Sequence, residues 1–287
     1  VPMLDIQTMY GKDCSYSTLR SADLWTDSDA YVIQETVSSG GQGTFYMSKA
    51  NEKNILLALS PEREYLVSGY IKSNIPLNLH AVIHDRDIIL FPGSIQVIVP
   101  SEERLLYRGA DFVSFKMLPV YVKEAFYSAA QSLCEKIQKD GYRGVLGIDG
   151  MWTKHGVYVL EINNRFQGST HLLNRALMEA GLPSVQECTI SAFQHENVSS
   201  QMKTQFQAVD VPYSSFVQIY DDEGVHGNYL LRNINRKGDS FEVLLDGYRI
   251  EQRCESYACQ YTMVFQGNIV SLCSGETSVR LHPNLSS

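Results

Sequence analysis

Residues 144–170 read GVLGIDGMWTKHGVYVLEINNRFQGST, and the rest of the chain is read from this stretch outward. Two β-rich runs flank Lys154-His155-Gly156, with Asp149 on the first and Glu161 on the second. Side chains alternate faces along a strand, so Glu161 and Asn163 share one face while Leu160 and Ile162 take the other. A hairpin turning about position 155 sets Asp149 opposite Glu161. Like charges facing each other across a sheet destabilise it, by roughly 4 kcal/mol at ~4 Å and an effective dielectric of ~20. Three resolutions are open: a different register, a protonated acid, or a cation between the two. Two carboxylates and an amide carbonyl form a hard oxygen set suited to Mg²⁺ or Mn²⁺ and not to zinc. The plain alternative is an exposed hairpin with solvated acids.

The chain has 287 residues, 44% apolar and 20% charged, which is ordinary for a globular protein of one or two domains. Its net charge of −8 and the scattering of its Lys and Arg residues argue against a nucleic-acid surface. No run approaches the length of a membrane span. The N-terminus VPMLDIQTMYG has no signal-peptide pattern. Six scattered cysteines read as reduced thiols, and a cytoplasmic location is expected. Cys254 and Cys259 lack the spacing and partners of a zinc knuckle.

Tyr31–Glu35 and Thr44–Met47 flank a Gly- and Ser-rich tip, Ser38-Ser39-Gly40-Gly41-Gln42-Gly43-Thr44. Such a loop serves as a plain turn or, through converging N–H groups and hydroxyls, as an anion cradle; no Gly-Lys-Ser/Thr makes it a Walker A motif. Strands are expected at 65–71, 79–83, 88–91 and 95–99, and a loop at 107–112, where Arg108 and Asp111 either contact a substrate or pair with each other. Val122, Phe126, Ala129, Leu133 and Ile137 fall on one helical face, stopped by Gly141; further helices are expected at 172–180 and 184–196. The polar run 198–211 reads as a linker, and 212–287 as a small β-rich module. No Ser, Cys and His grouping forms a nucleophilic constellation. His80 reads as structural, and His171 as near enough to the Glu161 segment to reach a substrate.

The order of parts, a Gly-rich hairpin, an antiparallel set, a helix and an acidic hairpin ending in Glu161-Ile162-Asn163-Asn164-Arg165, resembles the ATP-grasp superfamily of carboxylate ligases. The resemblance covers about residues 1–195 and implies an α+β ATP-grasp domain over 1–197, before the linker and the C-terminal β-rich module. It implies ATP with Mg²⁺ or Mn²⁺ as cofactors. Asp149, Glu161 and Asn163 become metal ligands, and Arg165 stabilises the transferred phosphoryl group. Ser38, Ser39, Gly40, Gly41, Gly43 and Thr44 become the loop over the phosphates, and the backbone at Leu66, Val67 and Ser68 meets the adenine. Gln34 stands where many members carry an ATP-contacting Lys, and brings a hydrogen bond without a charge. The implied reaction joins a carboxylate to an amine through an acyl phosphate; the other reading is a nucleotide-binding module without turnover. Within the superfamily, GGQGTFYM, Pro92-Gly93-Ser94-Ile95-Gln96, Tyr107-Arg108-Gly109-Ala110-Asp111 and Asn163-Asn164-Arg165-Phe166-Gln167-Gly168 look most like natural-product peptide ligases of the pheganomycin type. The family's usual N-terminal domain has no counterpart before Val1, and position 1 is not Met, so a fragment, a processed product or a split enzyme with a partner chain is expected.

Overall fold

The computed structural model describes residues 5–36, 43–100, 105–219, 234–237, 240–245, 248–254, 260–272 and 279–281. The chain divides into two compact units, one of residues 2–74 and 98–107, the other of 75–97 and 108–287. In the first, β1 (Ile6–Tyr10), α1 (Tyr16–Ser21), β2 (Tyr31–Glu35), β3 (Thr44–Met47), α2 (Glu52–Ala58) and β4 (Glu64–Gly69) follow in order. The four strands form an antiparallel sheet, β1-β4-β2-β3. Ile33, Met47 and Val67 on the sheet and Leu19 and Ile55 on the helices are fully buried in its core. Fully burying each such side chain stabilises by roughly 1.5–3 kcal/mol.

The second unit holds most of β5 (Asn74–Ile83), then β6 (Ile88–Leu90), parts of β7 (Ser94–Pro100) and β8 (Leu105–Asp111), α3 (Phe112–Lys116) and α4 (Val120–Lys139). After these come β9 (Gly144–Thr153), β10 (Gly156–Asn163), α5 (Thr170–Glu179), α6 (Val185–Phe193), α7 (Ser200–Ala208) and β11 (Tyr213–Ile219). The remaining strands are β12 (Ile234–Lys237), β13 (Ser240–Leu245), β14 (Tyr248–Cys254), β15 (Gln260–Gln266), β16 (Val270–Leu272) and β17 (Val279–Leu281). One large sheet runs β10-β9-β5-β7-β8-β11-β15-β14-β13-β12, with β6 alongside β5. Because β11 pairs with β8, the C-terminal strands continue this sheet.

The helix expected at 122–140 is α4, whose Val122, Phe126, Ala129 and Cys134 are buried at helical spacing; Gly141, at φ +93°, takes the left-handed turn that ends it. Two expectations are corrected. The polar stretch at 198–211 is no extended linker: Ser199 caps α7, and Phe206 is fully buried, its ring edge-on to Phe91 with centroids 5.3 Å apart. A single large aromatic anchors an otherwise polar helix, so its composition reads as a linker. The loop expected at 107–112 is the end of β8 running straight into α3. Asp111 caps α3 by accepting from Ser114 N at 2.7 Å and also accepts from the backbone N–H groups of Ile269 and Val270, at 2.7 and 3.0 Å. It does not pair with Arg108.

Among the described residues no helix is long and apolar enough to cross a membrane. Cys14, Cys134 and Cys188 are free and buried, and burial pushes their thiols up, to about 11 for Cys14 and about 12 for the other two. Thiols held protonated in this way are packing residues.

Candidate functional site

The acidic hairpin is β9 and β10, at the edge of the large sheet. Its turn is tighter than a loop centred on 155. Thr153 pairs with Gly156 across the two-residue tip Lys154-His155, and Gly156 sits at φ +133°, where a side chain would be strained. That register alone would place Asp149 opposite Leu160. A bulge between Val159 and Glu161 inserts one extra residue, Leu160, and sets Glu161 against Asp149. The expected pairing therefore stands, produced by a tight turn plus a bulge and not by a symmetric turn. Leu160 is left 40% exposed.

The two carboxylates are bridged by an amide. Asn163 Nδ2 donates to Asp149 Oδ2 at 3.0 Å and to Glu161 Oε1 at 2.9 Å, so its N–H groups fill the electropositive position that the facing acids demand. The other oxygen of Asp149, Oδ1, accepts from Asn78 Nδ2 at 2.5 Å, Gln96 Nε2 at 2.8 Å and Gln167 Nε2 at 3.2 Å. Burial pushes Asp149 up to about 7; the bond from Asn78 pulls it back, and Glu161 pushes it up again.

The supports of these amides are themselves tied. Asn78 Nδ2 donates to Gln167 Oε1 at 2.8 Å. Gln167 N donates to Thr170 Oγ1 at 2.9 Å, and Thr170 Oγ1 lies 2.8 Å from His80 Nε2. His80 is fully buried, as a structural histidine should be, and burial pushes it down to about 4. Gln167 lies flat on Gly147: a Cβ there would meet Gln167 Nε2 at 2.0 Å. Sequence reading missed Asn78, Gln96 and Gln167 as parts of this site. Their signal was a polar residue inside an otherwise apolar strand, as in Asn78 of NIPLNLHAVI and Gln96 of SIQVIVP.

A hard divalent cation fits the donor set. Rotation of the Asn163 amide would turn its carbonyl oxygen into the same space, giving two carboxylates and one carbonyl. Among the described residues no group of three His, Cys, Asp or Glu side chains forms a metal cage. Mg²⁺ accepts such a sparse set because it keeps water and phosphate oxygens as its other ligands.

The other expected residues make contacts of their own. Arg165 is exposed, and its Nη1 donates to Phe166 O at 3.2 Å. His171 Nδ1 lies 2.8 Å from Gly168 O. Gln34 is in the other unit on β2, its Nε2 3.5 Å from the hydroxyl of Thr44 across the β2–β3 pair. Gly43 has φ +83°, and its carbonyl accepts from Glu35 N at 2.9 Å. Ser38, Ser39, Gly40 and Gly41 lie outside the described residues. Leu66, Val67 and Ser68 are on β4, paired on one side to Thr8, Gln7 and Ile6 and on the other to Gln34, Ile33 and Val32. Both edges of β4 are engaged at these three residues. A cavity of about 210 Å³ lies elsewhere, against Phe112, Phe115, Lys116 and Tyr127.

Solved structures share this architecture. The chain aligns over 94% of its length with an ADP complex of N5-carboxyaminoimidazole ribonucleotide synthetase, at 14% identity and a TM-score of 0.62. It aligns over 93% with biotin carboxylase from Campylobacter jejuni, at 12% identity and a TM-score of 0.62. The biotin carboxylase domain of 2-oxoglutarate carboxylase from Hydrogenobacter thermophilus also matches over 93%, at 14% identity and a TM-score of 0.59. The chain spans 64%, 59% and 59% of those three proteins respectively, less than two thirds of each. No curated protein matches it. Residues 11–169, more than half of the chain, match the ATP-grasp domain, and with the α+β fold described above this places the chain in the ATP-grasp family.

Proposed function

We propose that this chain is the nucleotide-binding and phosphoryl-transfer part of an ATP-dependent carboxylate–amine ligase. The observation that carries the reading is the Asp149–Asn163–Glu161 bridge, two facing acids held 2.9–3.0 Å from one amide nitrogen at the edge of the large sheet. Solved structures of the same fold hold ATP, ADP, MgADP and bicarbonate, which supports a nucleotide and a carboxylate-like anion as ligands. Asp149, Glu161 and Asn163 would hold Mg²⁺, which when bound would supply neutralising charge to the phosphates. Arg165, exposed two residues beyond Asn163, is free to swing its guanidinium over the transferred phosphoryl group. The acid's carboxylate oxygen attacks the γ-phosphorus and ADP leaves; the amine nitrogen then attacks the acyl carbon, phosphate leaves, and the amine gives up a proton. The motif likeness to pheganomycin-type peptide ligases supports an amino acid or peptide as one substrate.

The experiment is Mg²⁺-dependent ADP release with a panel of acids and amines. Glu161→Ala is expected to abolish release while circular dichroism and melting stay near wild type, since Glu161 is exposed on an edge strand. Unchanged turnover in that variant would sink the metal assignment. The second reading, a nucleotide-binding module, is favoured by the neutral Gln34 beside Thr44. Nucleotide binding with no ADP release across the panel would select it.

A further inference from the structure

Arg108 lies on β8. Tyr213 on β11 directs its hydroxyl to Glu179 of α5, at 2.6 and 2.7 Å from the two carboxylate oxygens, which fixes the α5 side of the sheet. Ser215 is two residues on and pairs with Ala110, so Ala110, and Arg108 two residues before it, lie on that same side. Asn78 and Gln96 also point there, since both donate to Asp149 and Asn78 is linked to Gln167 just before α5. Arg108 and the Asp149 cluster therefore share one face of one sheet. The strand order β9-β5-β7-β8 puts three strand spacings, about 14 Å, between the strands of Asp149 and Arg108.

The acid nearest in sequence is unavailable to Arg108. Asp111 falls on the opposite face, where Ser114 N, Ser114 Oγ, Ile269 N and Val270 N saturate it. Arg108 is half-buried, and among the described residues no carboxylate or other acceptor pairs with it. Burial holds its guanidinium below the ordinary value, the expected result of desolvating a cation without a counter-charge. Such a group is a standing cost to the fold unless an anion arrives. Its planar fork matches a carboxylate with two parallel hydrogen bonds.

We propose that Arg108 binds the carboxylate of an organic acid substrate, on the sheet face that carries Asp149. The site would hold the acid at one end and the phosphoryl-transfer cluster at the other. This assignment rests on the ligase reading above, and it separates Arg108 from Arg165, which serves the phosphates.

The test is arginine modification of the whole chain by phenylglyoxal, read at Arg108 by peptide mass spectrometry. Millimolar benzoate, hippurate, glutarate and N-acetyl amino acids are the probes, with MgATP and inorganic phosphate as separate arms. At least one acid is expected to slow labelling of Arg108 by about tenfold, the scale of a charge-assisted pair, while MgATP alone leaves it within about twofold. Protection by MgATP or phosphate but by none of the acids would put the guanidinium on phosphate and overturn the proposal. Absence of labelling, or labelling that no acid slows, overturns it as well. Arg108→Met separates a site from a structural role: melting is expected at or above the wild-type temperature, and a fall of more than about 3 °C counts against the proposal. Acid protection is expected to persist in Glu161→Ala, so loss of the Arg108 effect and loss of the metal assignment are read independently.

Discussion

Asp111 and Asp149 are two carboxylates on one sheet, each with four hydrogen-bond donors, and they are built for different ends. Asp111 takes three backbone N–H groups and the hydroxyl of Ser114. Asp149 takes four side-chain amides, from Asn78, Gln96, Gln167 and Asn163. Burial pushes both above the usual carboxylate range. Backbone donors are fixed by the chain and cannot rotate away, so Asp111 is committed to joining α3 to residues 269–270. Side-chain amides can turn, and each offers an oxygen where it offered an N–H. The shell around Asp149 can therefore rearrange, as the binding role proposed for it requires.

The sharpest way to break this comparison is the same isosteric change at both positions. Asp111→Asn puts an NH₂ group against fixed backbone donors, or leaves them unpaired, in a site with no exposure. A loss of about 3 kcal/mol is expected in denaturant unfolding. Asp149→Asn should shift stability by less than about 1 kcal/mol, because the surrounding amides can reorient and the repulsion from Glu161 is gone. Equal losses at the two sites would mean that the Asp149 shell is as rigid as the other.

Acid loosens the two sites unequally. His80 holds Thr170, which holds Gln167, and no such chain stands behind Asp111. Its folded-state pKa of about 4 lies below the ordinary 6.5. Above pH 6.5 the imidazole is neutral whether the chain is folded or not, and it contributes no pH dependence. As pH falls below that, the unfolded chain takes the proton first, so stability declines until it levels near pH 4, by roughly 3 kcal/mol in all. Melting curves between pH 4 and 7 should show this decline in wild type and a flatter profile in His80→Gln. An unchanged slope in the variant would remove His80 from the support.

How much of this was legible depends on whether the signal was local. The helix α4 was, because Val122, Phe126 and Ala129 repeat at helical spacing. Asp149 facing Glu161 was legible as a pairing, but the bulge at Leu160 that produces it was not, since Val157-Tyr158-Val159-Leu160 is apolar throughout and has no alternation whose phase an inserted residue could shift. β8 was hidden because Arg-Gly-Ala-Asp carries neither alternation nor branched residues. The amide shell was out of reach for a different reason. Asn78 and Gln96 lie 71 and 53 residues from Asp149, and only the sheet order β9-β5-β7 brings them together. Tertiary pairing, and not local chemistry, decided which buried amides belonged to the site.

The smallest change expected to tell is at Gly147, which has no side chain to form a hydrogen bond and governs one anyway. Its missing side chain is the floor on which Gln167 rests, and a methyl group would stand 2.0 Å from Nε2 and 2.1 Å from Cδ. In Gly147→Ala the Gln167 side chain must leave, taking with it one donor to Asp149 and the acceptor of Asn78. Gln167 is only partly buried and can reach water, so the cost to stability should be limited to about 1–2 kcal/mol. Two donors remain on Asp149 Oδ1 after that loss, so its carboxylate stays in place but swings more freely. Mg²⁺-dependent nucleotide binding should weaken by about 10-fold, the scale seen when an outer partner of a metal ligand is lost. Gly147→Ala combined with Gln167→Ala gives the methyl group room and should restore the melting temperature without restoring Mg²⁺ affinity. That split would show that Gln167 serves the ligand more than the fold; recovery of both would assign it to packing.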